Sequence, residues 1–191
     1  MAMVKSAGII PFRERIYEDG RTELEFFVGR PWMSSDYYAF LKGGMEEDEN
    51  VDETALREFK EESGLTLDDC ESQMLIPLGW VQQNCRKMVF AFGLHYPNID
   101  PKQCSSNLTQ SGKPEIVDYA WMTYDELKQH TTRAHLQYYK KLIAMNNNSD
   151  SDEDVWMSCD DDFSDDEVEI EIVEINNGKR IVRTYDGKEK D

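Results

Sequence analysis

The chain has 191 residues and is poor in soft metal ligands, in positive charge and in long apolar runs. Its four cysteines, Cys70, Cys85, Cys104 and Cys159, stand far apart and form no CxxC pair. The three histidines, His95, His130 and His135, form no HExxH motif. This rules against the common zinc arrangements and makes reduced thiols in a cytoplasmic protein the simplest expectation. Only 21 Lys and Arg stand against 39 Asp and Glu, a net charge of −18. A duplex held by counterion release needs a basic field, so duplex DNA is not an expected partner. No segment approaches the ~20 apolar residues that a bilayer crossing requires. The opening MAMVKSAGIIPF has too short an apolar run for a signal peptide, so no membrane partner is expected either.

What charge there is falls unevenly. Residues 146–191 hold 16 acidic and 5 basic side chains, a net of −11, and residues 1–145 account for the remaining −7. Three segments follow: a domain over 1–145, an acidic disordered linker over 146–167 and a hairpin-like segment over 168–191. The linker has ten acidic residues, no basic ones and few apolar ones, too little to offset the entropy of ordering. Asp150, Asp152 and Asp154 imitate the start of a calcium loop, but Val155 stands where that loop needs Gly. Residues 168–185 alternate apolar and charged around Asn177-Gly178, a hairpin signal. A protein partner is the expectation for this acidic tail.

Within residues 1–145, strands are predicted over 4–12 and 22–30, near 38–41, and over 74–83, 86–96 and 116–122. Helices are predicted after Gly43, after Thr123 with its capping-box pattern, and over 132–144. Strands interleaved with helices predict an α/β fold, a mixed sheet covered on both faces.

The segment Gly43 to Leu65, GGMEEDENVDETALREFKEESGL, carries the chemistry. Asn50 and Glu53 form a capping box, Val51, Ala55 and Phe59 form an apolar stripe, and Gly64 suits a left-handed helix stop. Arg57 leaves the stripe and is placed to pair with Glu49. Glu58, Glu61 and Glu62 fall at i, i+3 and i+4, on one helix face. Such a face can be solvated acid, or it can surround a cation that offsets the repulsion. Oxygen-only ligands suit Mg²⁺, with Mn²⁺ as a substitute, and such ions suit phosphate substrates.

The same segment matches the Nudix box at every fixed position: Gly43, Glu49, Arg57-Glu58-Phe59, Glu61-Glu62 and Gly64-Leu65. The chain therefore resembles the Nudix hydrolases, which cleave nucleoside diphosphates linked to another group. Phe27 to Trp32, Leu78-Gly79-Trp80, Ser106-Asn107, Ser111-Gly112 and Pro114-Glu115 extend the likeness to a bacterial-type nucleotide pyrophosphohydrolase subgroup. Leu41 departs from it, where a Pro is common. The resemblance implies an α/β/α sandwich and a small-molecule nucleotide substrate. It implies metal ligation by Glu58, Glu61, Glu62 and the Gly43 carbonyl, and catalytic roles for Glu58, Glu62 and Arg57. Glu115, ahead of Trp121, is the choice of general base outside the box. Lys42 and Arg30 are candidates to meet phosphate. Trp32, Tyr37, Tyr38, Phe40 and Trp80 are candidates to stack on a base, Tyr38 among the substrate-binding residues.

Two other readings stand beside a Mg²⁺-dependent pyrophosphohydrolase. One is a non-catalytic nucleotide-binding module, against which the intact set of glutamates argues. The other is an interaction factor whose acidic tail is its main business.

Overall fold

A computed structural model of the chain describes residues 3–147, 170–176 and 179–185. The chain divides into two compact units, Met1–Asn147 and Asn148–Asp191.

In the first unit the strands are β1 (Val4–Ile16), β2 (Thr22–Pro31), β3 (Leu41–Gly44), β4 (Ile76–Asn84), β5 (Lys87–His95) and β6 (Ile116–Thr123). The helices are α1 (Val51–Ser63), α2 (Asp69–Gln73), α3 (Tyr124–His130) and α4 (Arg133–Asn147). Five strands run in the order β4-β5-β1-β2-β6, and β3 pairs separately with β1. The mixed character comes from β1, which runs parallel to β5 from Val4 to Phe12 and antiparallel to its other neighbours. Its first half takes β3 (Ser6 opposite Gly44) and its second half takes β2 (Phe12 opposite Phe26). One thirteen-residue strand thus carries three partners.

Successive side chains of a strand point to opposite faces, which produces two cores. On one face Ile10, Phe12, Phe26 and Val28 pack with Leu127 of α3 and Tyr138, Tyr139 and Leu142 of α4. On the other Ala7, Ile9, Phe27 and Leu41 pack with Ala55 and Phe59 of α1. The expected sandwich is therefore present, with α1 alone on one side and α3 and α4 on the other.

Several boundaries differ from the sequence reading. The expected strand near 38–41 lies at Leu41–Gly44, preceded by a bridge between Gly29 and Ala39, so Gly43 sits in a strand. Asp68 caps a short helix, α2, where none was expected, and the chain enters β4 only at Ile76. The helix α4 runs to Asn147.

In the second unit, β7 (Ile170–Asn176) pairs antiparallel with β8 (Lys179–Tyr185), Asn176 opposite Lys179. The turn predicted at Asn177-Gly178 lies outside the described residues. So does the predicted acidic linker from residue 148 onward.

Candidate active site

Helix α1 begins as its sequence dictates. The Asn50 side chain accepts from the backbone N–H groups of Asp52 and Glu53 at 2.9 Å each, and Glu53 returns the bond to the Asn50 N–H at 2.9 Å. It stops at Gly64, whose φ of 76° is left-handed and whose N–H donates to the Lys60 carbonyl at 2.8 Å. Phe59 and Ala55 are fully buried, which fixes the rotation of the helix about its axis.

Arg57 is the hub of the opposite side. Its Nε and Nη2 donate to the two oxygens of Glu49 at 2.6 and 2.9 Å, a bidentate pair. Its Nη2 also reaches the Gly44 carbonyl at 2.8 Å, and its Nη1 donates to Glu58 at 2.7 Å and Glu61 at 3.0 Å. The Glu49 pairing predicted from spacing is present, and its hydrogen bonds hold the Glu49 carboxyl well below the usual range. One guanidinium thus ties the loop, the end of β3 and two of the three clustered glutamates together.

The third glutamate is held separately. The backbone N–H of Lys42 donates to Glu62 Oε2 at 2.6 Å. Glu62 is half-buried between α1 and β3 rather than on a freely solvated face. Burial pushes its carboxyl up to about 8 against the opposing pull of Lys42. Glu58 is buried as well, and burial raises its carboxyl, with Glu61 and Glu115 adding to the effect and Arg57 opposing it. The close approach of Glu58 depends on Gly43. A Cβ at that position would lie 2.2 Å from the Glu58 carboxylate, so only glycine admits it.

The last turn of α1 is fastened from outside. Its closing carbonyls would lack partners within the helix. Asn107 N–H donates to the Glu61 carbonyl at 2.7 Å, Ser105 N–H to Ser63 at 3.0 Å, and the Tyr119 hydroxyl to Glu62. Asn107 then accepts the Glu115 N–H at 3.0 Å, so one residue's backbone links the helix to Glu115. Tyr119 and Asn107 were not read as site residues. The signal for Tyr119 was its place two residues before Trp121 in a strand, which puts both on one face.

These residues line one cleft of about 400 Å³, formed by Lys42, Gly43, Glu58, Glu61, Glu62 and Glu115 with Trp32, Met33 and Thr109 at its sides. Burial pushes the half-buried Lys42 ammonium below its usual value, with Lys87 adding to it. Arg30 and Tyr38 are not brought here: both meet Asp118, at 3.7 and 2.6 Å. Of the five aromatic candidates only Trp32 lines the cleft. Phe40 is buried in the core, Tyr37 bonds His135, and Trp80 packs edge-on against Phe90.

The donor set fits a hard divalent ion. Glu58, Glu61 and Glu62 each have one oxygen engaged by Arg57 or Lys42, and the other meets no donor among the described residues. The glycine cradle lets the Glu58 carboxylate lie against the β3 backbone at Gly43. Among the described residues, no three His, Cys, Asp or Glu side chains are already drawn together as a finished cage.

Known proteins resemble the chain in sequence and in fold. A NUDIX domain family model matches residues 13–144. The RNA pyrophosphohydrolase of Wolbachia pipientis subsp. Culex pipiens (strain wPip) is 24% identical over 128 residues, 61% of this chain and 77% of that one. The NUDIX domain of Shewanella oneidensis NrtR, solved with ADP ribose, superposes with a TM-score of 0.55 at 16% identity, covering 76% of this chain and 90% of that one. A mutT/nudix family protein from Listeria innocua gives 0.55 at 16% identity, covering 78% and 96%. At such identities the solved structures speak for the fold alone.

Proposed function

The chain belongs to the Nudix hydrolase family, and from that premise we propose that it is a Mg²⁺-dependent pyrophosphohydrolase. Its substrate is a nucleoside diphosphate linked to a second group X, which is cut at the phosphoanhydride. Candidates for X are a second nucleotide, the ribose of ADP-ribose, a nicotinamide nucleotide, or the 5′ end of an RNA. The observation that carries this reading is the convergence of Glu58, Glu61, Glu62, Glu115, Lys42 and Gly43 on one cleft.

Gly43, Glu58, Glu61 and Glu62 would hold the metal. When bound, a divalent ion neutralises charge on the diphosphate oxygens and makes an attacking water more acidic. The protein's own groups do the rest. Arg57 fixes Glu58 and Glu61 in place and gives Glu49 a structural rather than a chemical part. Lys42, at the mouth of β3, meets a phosphate oxygen. Glu115 enters from the other wall of the cleft and takes the proton of the attacking water. Its position relative to α1 is set through Asn107, so base and ligands belong to one rigid unit.

The test is a panel of dinucleoside polyphosphates, ADP-ribose, NADH and triphosphate-ended or capped RNA, with Mg²⁺ or Mn²⁺ and with products identified. Cleavage of at least one class between its phosphates, abolished by excess EDTA, is expected. Turnover undiminished by EDTA, or no cleavage of any class, would contradict the reading.

A further inference from the structure

Trp32 is an indole that neither core uses. It is half-buried, yet it is absent from both apolar clusters of the sheet. Its neighbour Met33 is 81% exposed, so this stretch of chain faces solvent along the cleft wall. A large aromatic left there gains little from the fold itself.

Its placement is nevertheless tightly defined. The Trp32 backbone N–H donates to the backbone carbonyl of Glu115 at 3.0 Å, which ties the two backbones together at this wall of the cleft. Ser34 N–H closes a turn onto Pro31 at 2.9 Å, and Arg30 Nη1 braces it at the Ser34 carbonyl, 3.0 Å away. The ammonium of Lys113 sits 4.4 Å from the centre of the indole ring. Lys113 is itself carried on a closed turn, in which Thr109 N–H donates to the Lys113 carbonyl at 2.7 Å and Gly112 N–H to Thr109 at 2.8 Å. A cation on one face of an indole holds the ring and polarises it.

We propose that Trp32 is the nucleobase platform of this cleft, with the base stacked on one face of the indole and Lys113 bracing the other. The inference rests on the nucleotide reading above and adds what recognises the nucleoside part of the substrate. Every base has a π-face, so the platform accepts purines and pyrimidines alike and separates nucleotides from non-nucleoside diphosphates. Trp32 is a specificity residue here, and Lys113 a positioning residue that acts through it.

The experiment compares wild type with Trp32→Ala, Trp32→Phe, Lys113→Gln and the Trp32→Ala/Lys113→Gln double variant, each checked by thermal melting. Steady-state kinetics use the best nucleotide of the panel, and AMP binding is followed by tryptophan fluorescence without metal. Trp32→Ala is expected to raise KM about tenfold with kcat little changed, the size typical of one stacked base, and Trp32→Phe to restore most of it. Lys113→Gln should raise KM about threefold, as expected for a weak cation–ring brace, and should add nothing in the Trp32→Ala background. AMP should quench wild-type fluorescence, and Trp32→Phe should remove that quenching. If the wild type hydrolyses nucleotides and Trp32→Ala leaves KM within about twofold, less than a stacked base contributes, the platform is wrong and the proposed activity stands. If AMP quenches through Trp32 but no nucleotide is cleaved, the platform stands and the proposed activity falls. If neither occurs, both fall.

Discussion

Helix α4 is held to its face of the sheet by bulk, whereas α1 is held to the other by a mesh of directed polar contacts. The buried residues of α4 are His135, Tyr138, Tyr139 and Leu142, large side chains that fill space between the sheet and α3. The buried residues of α1 are smaller in sum and partly polar: Thr54, Ala55, Glu58, Phe59 and Ser63. What α1 has in addition is a capping box, the Arg57 hub and three carbonyls bonded from the 105–119 segment. Apolar packing resists unfolding without fixing any one atom, while directed bonds set atoms to a fraction of an ångström. A helix that must keep three carboxylates together needs the second kind. The difference assigns stability to one face and chemistry to the other.

The comparison would break first at Glu62. Glu62→Gln keeps the shape and removes the ionisable carboxyl that would help hold the metal, so kcat is expected to fall by orders of magnitude. The melting temperature of the metal-free protein should hold or rise, because at neutral pH a carboxyl that burial pushes up to about 8 must take up a proton on folding, and Gln need not. Near wild-type turnover would return this face to mere surface acid.

The opposite outcome is expected on the other face. Leu142 is 2% exposed, and Leu142→Ala should cost about 2–5 kcal/mol in denaturant unfolding. The kcat of the molecules that remain folded should stay at the wild-type value. A loss of kcat at full folding would show that the two faces are not separable in this way.

The α4 face also has its own titration. His135 is fully buried, its Nδ1 is 3.2 Å from the Tyr37 hydroxyl, and its Nε2 has no partner among the described residues. Burial pushes it down to about 3, with the charges of Lys42 and Lys87 adding to the effect. The unfolded chain takes up a proton near pH ~6.5, which the folded chain refuses. Stability is therefore complete above that pH and falls as the pH drops towards 3, by up to ~1.4 kcal/mol per pH unit. In denaturant unfolding between about pH 6.5 and 5, the wild type should lose stability on acidification relative to His135→Gln by this slope, since the raised Glu62 carboxyl acts in the opposite sense but equally in both proteins. Equal slopes would remove His135 from the explanation.

The smallest effect tests one strand of the mesh. Tyr119→Phe deletes the hydroxyl that caps the Glu62 carbonyl and keeps the ring stacked on Phe27. A cost of about 0.5–1.5 kcal/mol is expected, with a several-fold loss of kcat because Glu62 is less well placed. An unchanged kcat would make that bond purely structural.

Much of α1 was legible because its determinants are local. Asn50 with Glu53, Gly64, and Arg57 with Glu49 lie within one or two helical turns of each other, where sequence spacing is spatial proximity. The i, i+3, i+4 spacing likewise placed Glu58, Glu61 and Glu62 on one face. It did not say what that face meets, so the burial of Glu62 against the Lys42 amide was missed. The contacts of Ser105, Asn107 and Tyr119 with α1 join residues far apart in sequence, the first two through backbone atoms that no side chain announces. The three-partner pairing of β1 escaped for the same reason: hydrophobic alternation marks a strand and its faces but not its neighbours. Arg30 and Tyr38 read as ligand contacts because nothing in the sequence brought Asp118 to them.

The claim at the centre of all this is that the carboxylate face of α1 is a divalent metal site. Mn²⁺ titration followed by electron paramagnetic resonance, on the full chain and on a Glu58→Gln/Glu62→Gln variant, addresses it without any substrate. The acidic tail is identical in both proteins, so ions it gathers cancel in the difference. The wild type is expected to bind at least one Mn²⁺ ion more tightly than the variant, and Mg²⁺ should displace that ion. Equal Mn²⁺ binding by the two proteins would contradict the claim.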